Sequence, residues 1–387
     1  MPPEEVVERR KGEHLRVVAA GEIDAHVAAG WRDVHLVHSA LPAADLDAVD
    51  LSTELFGHRL RAPLVISAMT GGHEAALELN RRLATAAERH GLAMGVGSQR
   101  AALRKPALAP TYAVAREAAP SSLLIANVGA AQLIPQASGD VVGAEGILAA
   151  VSMIRADALA IHLNFLEEMV QTEGDRRAAG IREGLRAAVA ACPVPVVAKE
   201  TGGGLSRQVA LELAGLGFQA LDVGGAGGTS FAAVEAKRAV ERGDHRGARL
   251  GEAFRDWGLP TAASVFAAAG SGLPVIATGG VRSGLDAAKA LALGATAVGV
   301  ARPLLLAALE GDRALDEWIG HFLEELRGAA FLCGVGSVGE LRGVPRVITG
   351  DTRAWLHDLG SCAARNGLGA AGPSSSRSGQ SERGSWP

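Results

Sequence analysis

The stretch Ala158 to Asp175, ALAIHLNFLEEMVQTEGD, starts as a strand and ends as a polar loop. Ala158, Leu159, Ala160 and Ile161 form a continuous apolar run without helical period, as expected of a strand covered on both faces. Where the run stops, His162, Asn164, Glu167 and Glu168 follow within seven residues. The end of a buried strand is where α/β barrels place their chemistry. Two adjacent carboxylates facing one cleft need a cation or a shared proton to relieve their repulsion, so one reads as a metal ligand and the other as a proton handler. The alternative is a solvated helix start with acidic residues in its first turn.

Seven similar runs surround this one: APLVISAM from Ala62, LAMGVGS from Leu92, SLLIANVG from Ser122, PVVAKET from Pro195, ALDVGG from Ala220, PVIATGG from Pro274 and AVGVARP from Ala297. Between them lie amphipathic, Ala-rich segments such as ALELNRRLATAAERHG and GLDAAKALALG, several of which stop at a glycine. Eight strand–helix units in series predict the α/β class and a (β/α)8 TIM barrel over residues 62–360. A doubly wound sheet is the alternative, and it requires a topological switch. Residues 1–61 read as a polar extension capping the active site, with Arg9, Arg10, Lys11 and His14 clustered near its start. The piece from Gly228 to Ala269 is too long for a simple connection between strands six and seven and reads as a lid or an added helix. Residues 361–387, rich in Gly, Ser and Arg, are predicted to be a disordered tail.

A formal net charge of -4 provides no global basic field, which argues against nucleic acid or an anionic membrane surface as partner. Three cysteines, Cys192, Cys333 and Cys362, fall outside any CxxC pattern and read as reduced thiols of a cytoplasmic protein. The first residues, MPPEEVVERRKGEHL, lack the apolar region of a secretory signal, and no apolar run reaches membrane-spanning length. The 50 glycines gather at the ends of the apolar runs, where they suit backbone approaching a ligand.

On a barrel these strand ends share one mouth. The turn ATGGVRSG leads into a helix whose first N–H groups are predicted to hold a phosphate, with Arg282 or Arg302 adding charge; the alternative is a tight turn needing positive φ. Lys199, on an apolar strand, needs an electron-rich partner, which Glu200 would supply structurally and a flavin ring functionally. Ser98, Gln99 and Arg100 suit an oxyanion, and Arg10, Lys11 and His14 can close over it. Two anion sites follow, one for a cofactor phosphate and one for a substrate phosphate bridged by a cation at Glu168.

The segments RKGEHL, LPAADLDAVDLSTELFGHRLRAPLVISAMTGG, GVGSQR, NVGAAQL, HLNFLEE, QTEGD, KETGGGLS, DVGGAGGTSF, WGLPTA and GGVRSGLDAAKALALGA occur in the order seen in one family. From Arg10 to about Leu359 the chain resembles type 2, flavin-dependent isopentenyl diphosphate isomerase. That resemblance implies an FMN-bearing barrel that uses reduced FMN with Mg2+ to interconvert isopentenyl and dimethylallyl diphosphate, NADPH as reductant, and a cytoplasmic homotetramer or homo-octamer. It implies that Met69, Thr70, Gly71, Ser98, Asn127, Lys199, Ser206, Thr229, Gly279, Gly280, Arg282, Ala301 and Arg302 surround FMN. It further implies that Arg10, Lys11, Ser98, Gln99, Arg100, His162 and Asn164 hold the diphosphate, with Glu168 as Mg2+ ligand.

The family pattern reads HLNPLQE; here Phe165 replaces its proline and Glu167 the glutamine that approaches the alkene. Thr172 also replaces a proline, and Thr201 an apolar residue. Two readings follow. In one, Glu167 assists the flavin in a working isomerase, with His162 and Asn164 completing the catalytic group. In the other, Glu167 is the acid of another protonation-initiated reaction, isomerisation or cyclisation of a longer prenyl diphosphate. Three further classes are weighed. A 2-hydroxy acid oxidase needs a His–Arg pair where this chain reads DVGGAGGTSF, and an inosine-monophosphate-dehydrogenase-like enzyme needs a cysteine in the active loops. A non-catalytic binding barrel would not retain FMN.

Overall fold

The structure, a computed structural model, describes residues 12–19, 21–137 and 141–365. All eight apolar runs become barrel strands: β1 (Leu64–Ile66), β2 (Ala93–Gly95), β3 (Leu124–Gly129), β4 (Ala158–Leu163), β5 (Val196–Glu200), β6 (Ala220–Asp222), β7 (Val275–Thr278) and β8 (Ala297–Val300). They pair in parallel in chain order, and β8 closes onto β1 through Val298↔Leu64. Residues alternate between the interior and the helical shell, as the strand period of two requires. Val65, Ile125, Ala160, Val197 and Ile276 turn inward, whereas Leu64, Leu124, Leu159 and Val275 join the core shared with the helices. The fold is the expected TIM barrel.

Within residues 21–61 the chain closes one end of the barrel. A hairpin of Thr53–Leu55 and His58–Leu60, turned by Phe56 and Gly57 at positive φ, buries Leu55 and Leu60 against the inward residues Val65, Ala93 and Ile125. This hairpin plugs the end of the barrel opposite the carboxyl ends of the strands. Val34–Leu36 pairs antiparallel with Arg346–Ile348, so the amino-terminal segment is stitched to the carboxy-terminal one. Residues 12–19 form a helix, and Arg9, Arg10 and Lys11 lie outside the described residues.

The piece between β6 and β7 contains three helices, Phe231–Glu241, His245–Ala253 and Thr261–Ala269. The last helix runs Gly350–Arg365, five residues past the expected start of the tail; residues 366–387 lie outside the described residues. Among the described residues, no helix is long and apolar enough to cross a membrane. Cys192 and Cys333 are unbridged.

The glycines partly answer to backbone rather than ligand. A Cβ on Gly227 would lie 2.1 Å from Ala29 N, and one on Gly280 would lie 2.4 Å from Gly227 O. Chain 21–31 therefore wedges against the loops after β6 and β7, tied by Ala25 N–H to Gly228 O and Ser230 N–H to Ile23 O.

Candidate active site

The carboxyl ends of the strands open into one cavity of about 740 Å3, a size typical of ligand pockets. Met69, Thr70, Gly71, Ser98, Arg100, Asn127, His162, Asn164, Glu167, Glu168, Lys199, Thr229, Gly279, Gly280, Arg282, Ala301 and Arg302 all line it. Gln99 and Ser206 do not. Gln99 is fully buried as a clamp, its amide donating to Ala150 O while its Oε1 accepts from Asn127 N–H. Ser206 is the N-cap of helix Arg207–Gly215, its hydroxyl accepting from Val209 N–H. An Ser or Asn-type residue just before a helix is as readily a cap as a ligand group, and here the cap prevails.

At the cavity floor the strand register sets His162, Lys199 and Asp222 side by side on β4, β5 and β6. Lys199 Nζ pairs with Asp222 Oδ2 at 3.0 Å and donates to Glu200 O at 3.3 Å. The expected Glu200 side-chain partnership does not form. Successive residues of a strand face opposite ways, so Glu200 turns from Lys199 and accepts from Gly202, Gly203 and Gly204 N–H at 2.7, 2.5 and 3.0 Å. Burial pushes its carboxyl from the ordinary 4.5 up to about 7, against the opposing pull of those N–H groups.

Below about pH 4.5 the folded and unfolded states both hold that proton; above pH 7 the folded state carries a buried charge. Glu200 therefore contributes stability that is fully present at low pH and lost as pH rises through about 7. Urea melts of wild type and Glu200→Gln are expected to show the variant gaining about 2–3 kcal/mol on wild type between pH 4.5 and 8. Parallel pH curves would refute it.

The floor also carries unpaired polar atoms. Ser67 Oγ and Thr278 Oγ1, both buried and lining the cavity, have no hydrogen-bond partner among the described residues. Gly299 lies between them, and a Cβ there would meet Thr278 Oγ1 at 2.0 Å and Ser67 Oγ at 2.6 Å. Buried polar groups are ordinarily satisfied, so two hydroxyls beside a gap left by glycine fit the edge of a flat polar ring. With Lys199 close by, these residues fit FMN.

The phosphate reading needs revision in one respect. The helix Gly284–Ala292 already spends its first N–H groups on protein: Gly284 on Glu325 Oε2 and Asp286 on the Ser283 hydroxyl. The cavity is faced instead by the turn itself, Gly279 and Gly280 at φ 117° and 63°, and by Ala301 after β8. Arg282 and Arg302 both grip Asp24, at 2.9 and 3.0 Å, so chain 21–31 is latched at this corner.

The opposite rim is a hydrogen-bonded network. Asn127 Nδ2 donates to Val96 O, which turns its Oδ1 towards His162 Nδ1 at 2.8 Å and assigns the proton to that nitrogen. Arg100 pairs with Asp175 at 2.7 Å, and Asp175 N–H donates to Glu168 Oε2 at 2.8 Å. Asn164 Nδ2 donates to Glu168 Oε1, yet Asn164 Oδ1 is buried without a partner. A buried carboxylate beside an orphaned amide oxygen is a hard-oxygen donor set that fits Mg2+ completed by phosphate and water.

Glu167 Oε1 accepts from Gln171 Nε2 at 2.8 Å, and the same amide donates to Glu235 at 3.0 Å. His14, Glu167 and Glu235 are the three described residues with metal-ligand spacing. Glu235 is already balanced by Arg238 and by His14 at 2.5 Å, so we read this group as an ion-pair network. Reading the sequence alone missed Asp24, Asp222, Gln171 and Glu235. Only Asp222 carried a signal, as an acid inside the apolar run ALDVGG.

The sequence profile of FMN-dependent dehydrogenases matches residues 19–109 and 258–346. In fold, the chain is similar to a lactate oxidase of Pediococcus acidilactici (TM-score 0.62, 16% identity, 90% of this chain and 95% of that one). It is similar too to a mandelate oxidase variant solved with an FMN adduct (TM-score 0.55, 20% identity, 89% of this chain and 99% of that one). In sequence it is far nearer to proteins named isopentenyl-diphosphate delta-isomerase. That of Methanoregula boonei is 49% identical over 90% of this chain and 96% of its own length. That of Methanosarcina mazei is 46% identical over 91% and 95%. On this likeness the chain belongs to the isopentenyl-diphosphate delta-isomerase family, in its flavin-dependent, type 2 form.

Proposed function

We propose that this protein isomerises isopentenyl diphosphate to dimethylallyl diphosphate, with reduced FMN and Mg2+ bound and NADPH as the reductant. The observation that carries the reading is the juxtaposition, in one cavity, of a flavin-suited floor with the Arg100, His162 and Glu168 rim. When bound, reduced FMN supplies an electron-rich surface and acid–base capacity beside the alkene.

The chain's own residues do the rest. Arg100 and His162 bind the diphosphate, and Glu168 would hold Mg2+, which would supply positive charge to that anion; Arg10 and Lys11 are assigned to the same anion by the family resemblance. Asn164 donates to Glu168 at 3.1 Å and lies 3.5 Å from Glu167, fixing the spacing of the two acids. Glu167, anchored through Oε1 by Gln171, is the carboxyl that handles a proton at the alkene. The helix over residues 12–19 brings Leu15 and Val18 to the cavity and excludes water from the reacting carbons.

A second reading rests on the cavity's extent. It runs outward past Leu305, Leu306 and Trp318, enough apolar lining for a longer prenyl chain. An anaerobic assay with photoreduced flavin, Mg2+ and either the C5 or a C10 diphosphate separates the two. Turnover of the C5 substrate is the expected result; product from the C10 substrate alone would replace the first reading with the second.

A further inference from the structure

We propose that Asp222 sets the reduction potential of the bound flavin through Lys199. The proposal rests on the bound FMN and not on the isomerase assignment.

Lys199 lines the cavity, whereas Asp222 stands behind it on the neighbouring strand, paired in register and 3.0 Å away. The ammonium has three donors. Asp222 Oδ2 and Glu200 O take two, and among the described residues no other acceptor is recorded, which leaves one for the cavity. Asp222 itself is only half satisfied: its Oδ1 is buried and has no hydrogen-bond partner among the described residues. A carboxylate is a costly way merely to anchor a lysine when one of its oxygens goes unpaired. What it supplies is negative charge, in a low-dielectric position, directly behind the cation that faces the ring.

Two-electron reduction, FMN + 2e− + H+ → FMNH−, leaves the ring with one more negative charge. Charge beside the ring nitrogens is one of the levers by which a protein tunes a flavin. Lys199 favours the reduced form, and Asp222 offsets that preference. Removing the carboxylate's charge while keeping its shape frees the lysine to favour the reduced ring more strongly.

The test is the midpoint potential of the FMN-loaded full chain, measured anaerobically against reference dyes. Asp222→Asn is expected to tighten reduced FMN relative to oxidised FMN by at least tenfold, a potential more positive by about 30 mV for two electrons. Asp222→Glu, which keeps the charge, is expected to stay near wild type. In a Lys199→Gln background the Asp222→Asn shift is expected to vanish. Asp222→Ser serves if the Asn variant does not fold. An unchanged or lower potential, equal potentials for the Asn and Glu variants, or a folded variant that no longer retains FMN would each overturn the proposal. Because the readout requires only bound flavin, a failure to isomerise the C5 diphosphate leaves it intact.

Discussion

Gly279→Ala is expected to yield a folded barrel whose FMN dissociation constant is at least 100-fold weaker than wild type, about 2.7 kcal/mol. The residue sits at φ 117°, a conformation that a side chain disfavours, and a Cβ there would lie 2.2 Å from Gly225 O. That oxygen cannot retreat cheaply, since Gly225 N–H is itself bonded to Thr278 O at 2.8 Å, holding the β6 loop to β7. The strain must therefore move the turn that faces the cavity, and with it the backbone offered to the cofactor phosphate. Fluorescence titration of the apoprotein with FMN checks the effect. Gly320→Ala is the control, because a Cβ at Gly320 meets nothing within 4 Å and helix Asp312–Leu332 should gain up to about 1 kcal/mol. A Gly279→Ala dissociation constant within threefold of wild type would remove the turn from the phosphate site.

This turn also shows which parts of the molecule a sequence discloses. The eight strands were legible because burial on both faces leaves an uninterrupted apolar run, a purely local signature. The strand-end residues were legible by extension, since a barrel brings every carboxyl end to one mouth, and Met69, Asn127, His162, Lys199 and Gly279 meet there. What escaped were partnerships across long separations. Lys199 read naturally with its neighbour Glu200, but the two-residue period of a strand turns them apart and the register supplies Asp222 from the next strand. Ser206 and Gln99 carried the polarity of ligands, yet each spends it on local backbone. The hairpin around Phe56 read as part of a polar lead-in because its few apolar side chains, Leu55, Phe56 and Leu60, stand among polar neighbours. Asp24 gave no signal, since its two arginines are more than 250 residues away.

The same contrast bears on Glu167, where a local departure from the family pattern meets a network built from distant elements. Glu167→Ala is expected to lower kcat/KM for the C5 diphosphate by about 10²- to 10⁴-fold, the usual contribution of a positioned proton-handling group. Fold and FMN content should be unchanged, because Glu167 is only partly buried and its anchors belong to the rim and not to the flavin floor. Glu167→Gln is the informative companion. An amide keeps an oxygen for the Gln171 donor and a polar end towards the alkene but cannot carry the proton, so this variant is expected to lose activity as the Ala variant does. Steady-state rates under anaerobic conditions decide among four results. Loss with Ala and retention with Gln make the position a polar contact to the alkene that either side chain supplies. Loss with both makes the carboxyl itself the proton carrier, held in place by Gln171. Wild-type inactivity with an active Gln variant would favour the longer prenyl substrate for the native enzyme, since the departure from the family pattern at Glu167 would then be the change that blocks the family's reaction. An Ala variant within threefold of wild type would take Glu167 out of the chemistry altogether and turn attention to His162, whose Nδ1 is fixed by Asn127 beside Lys199.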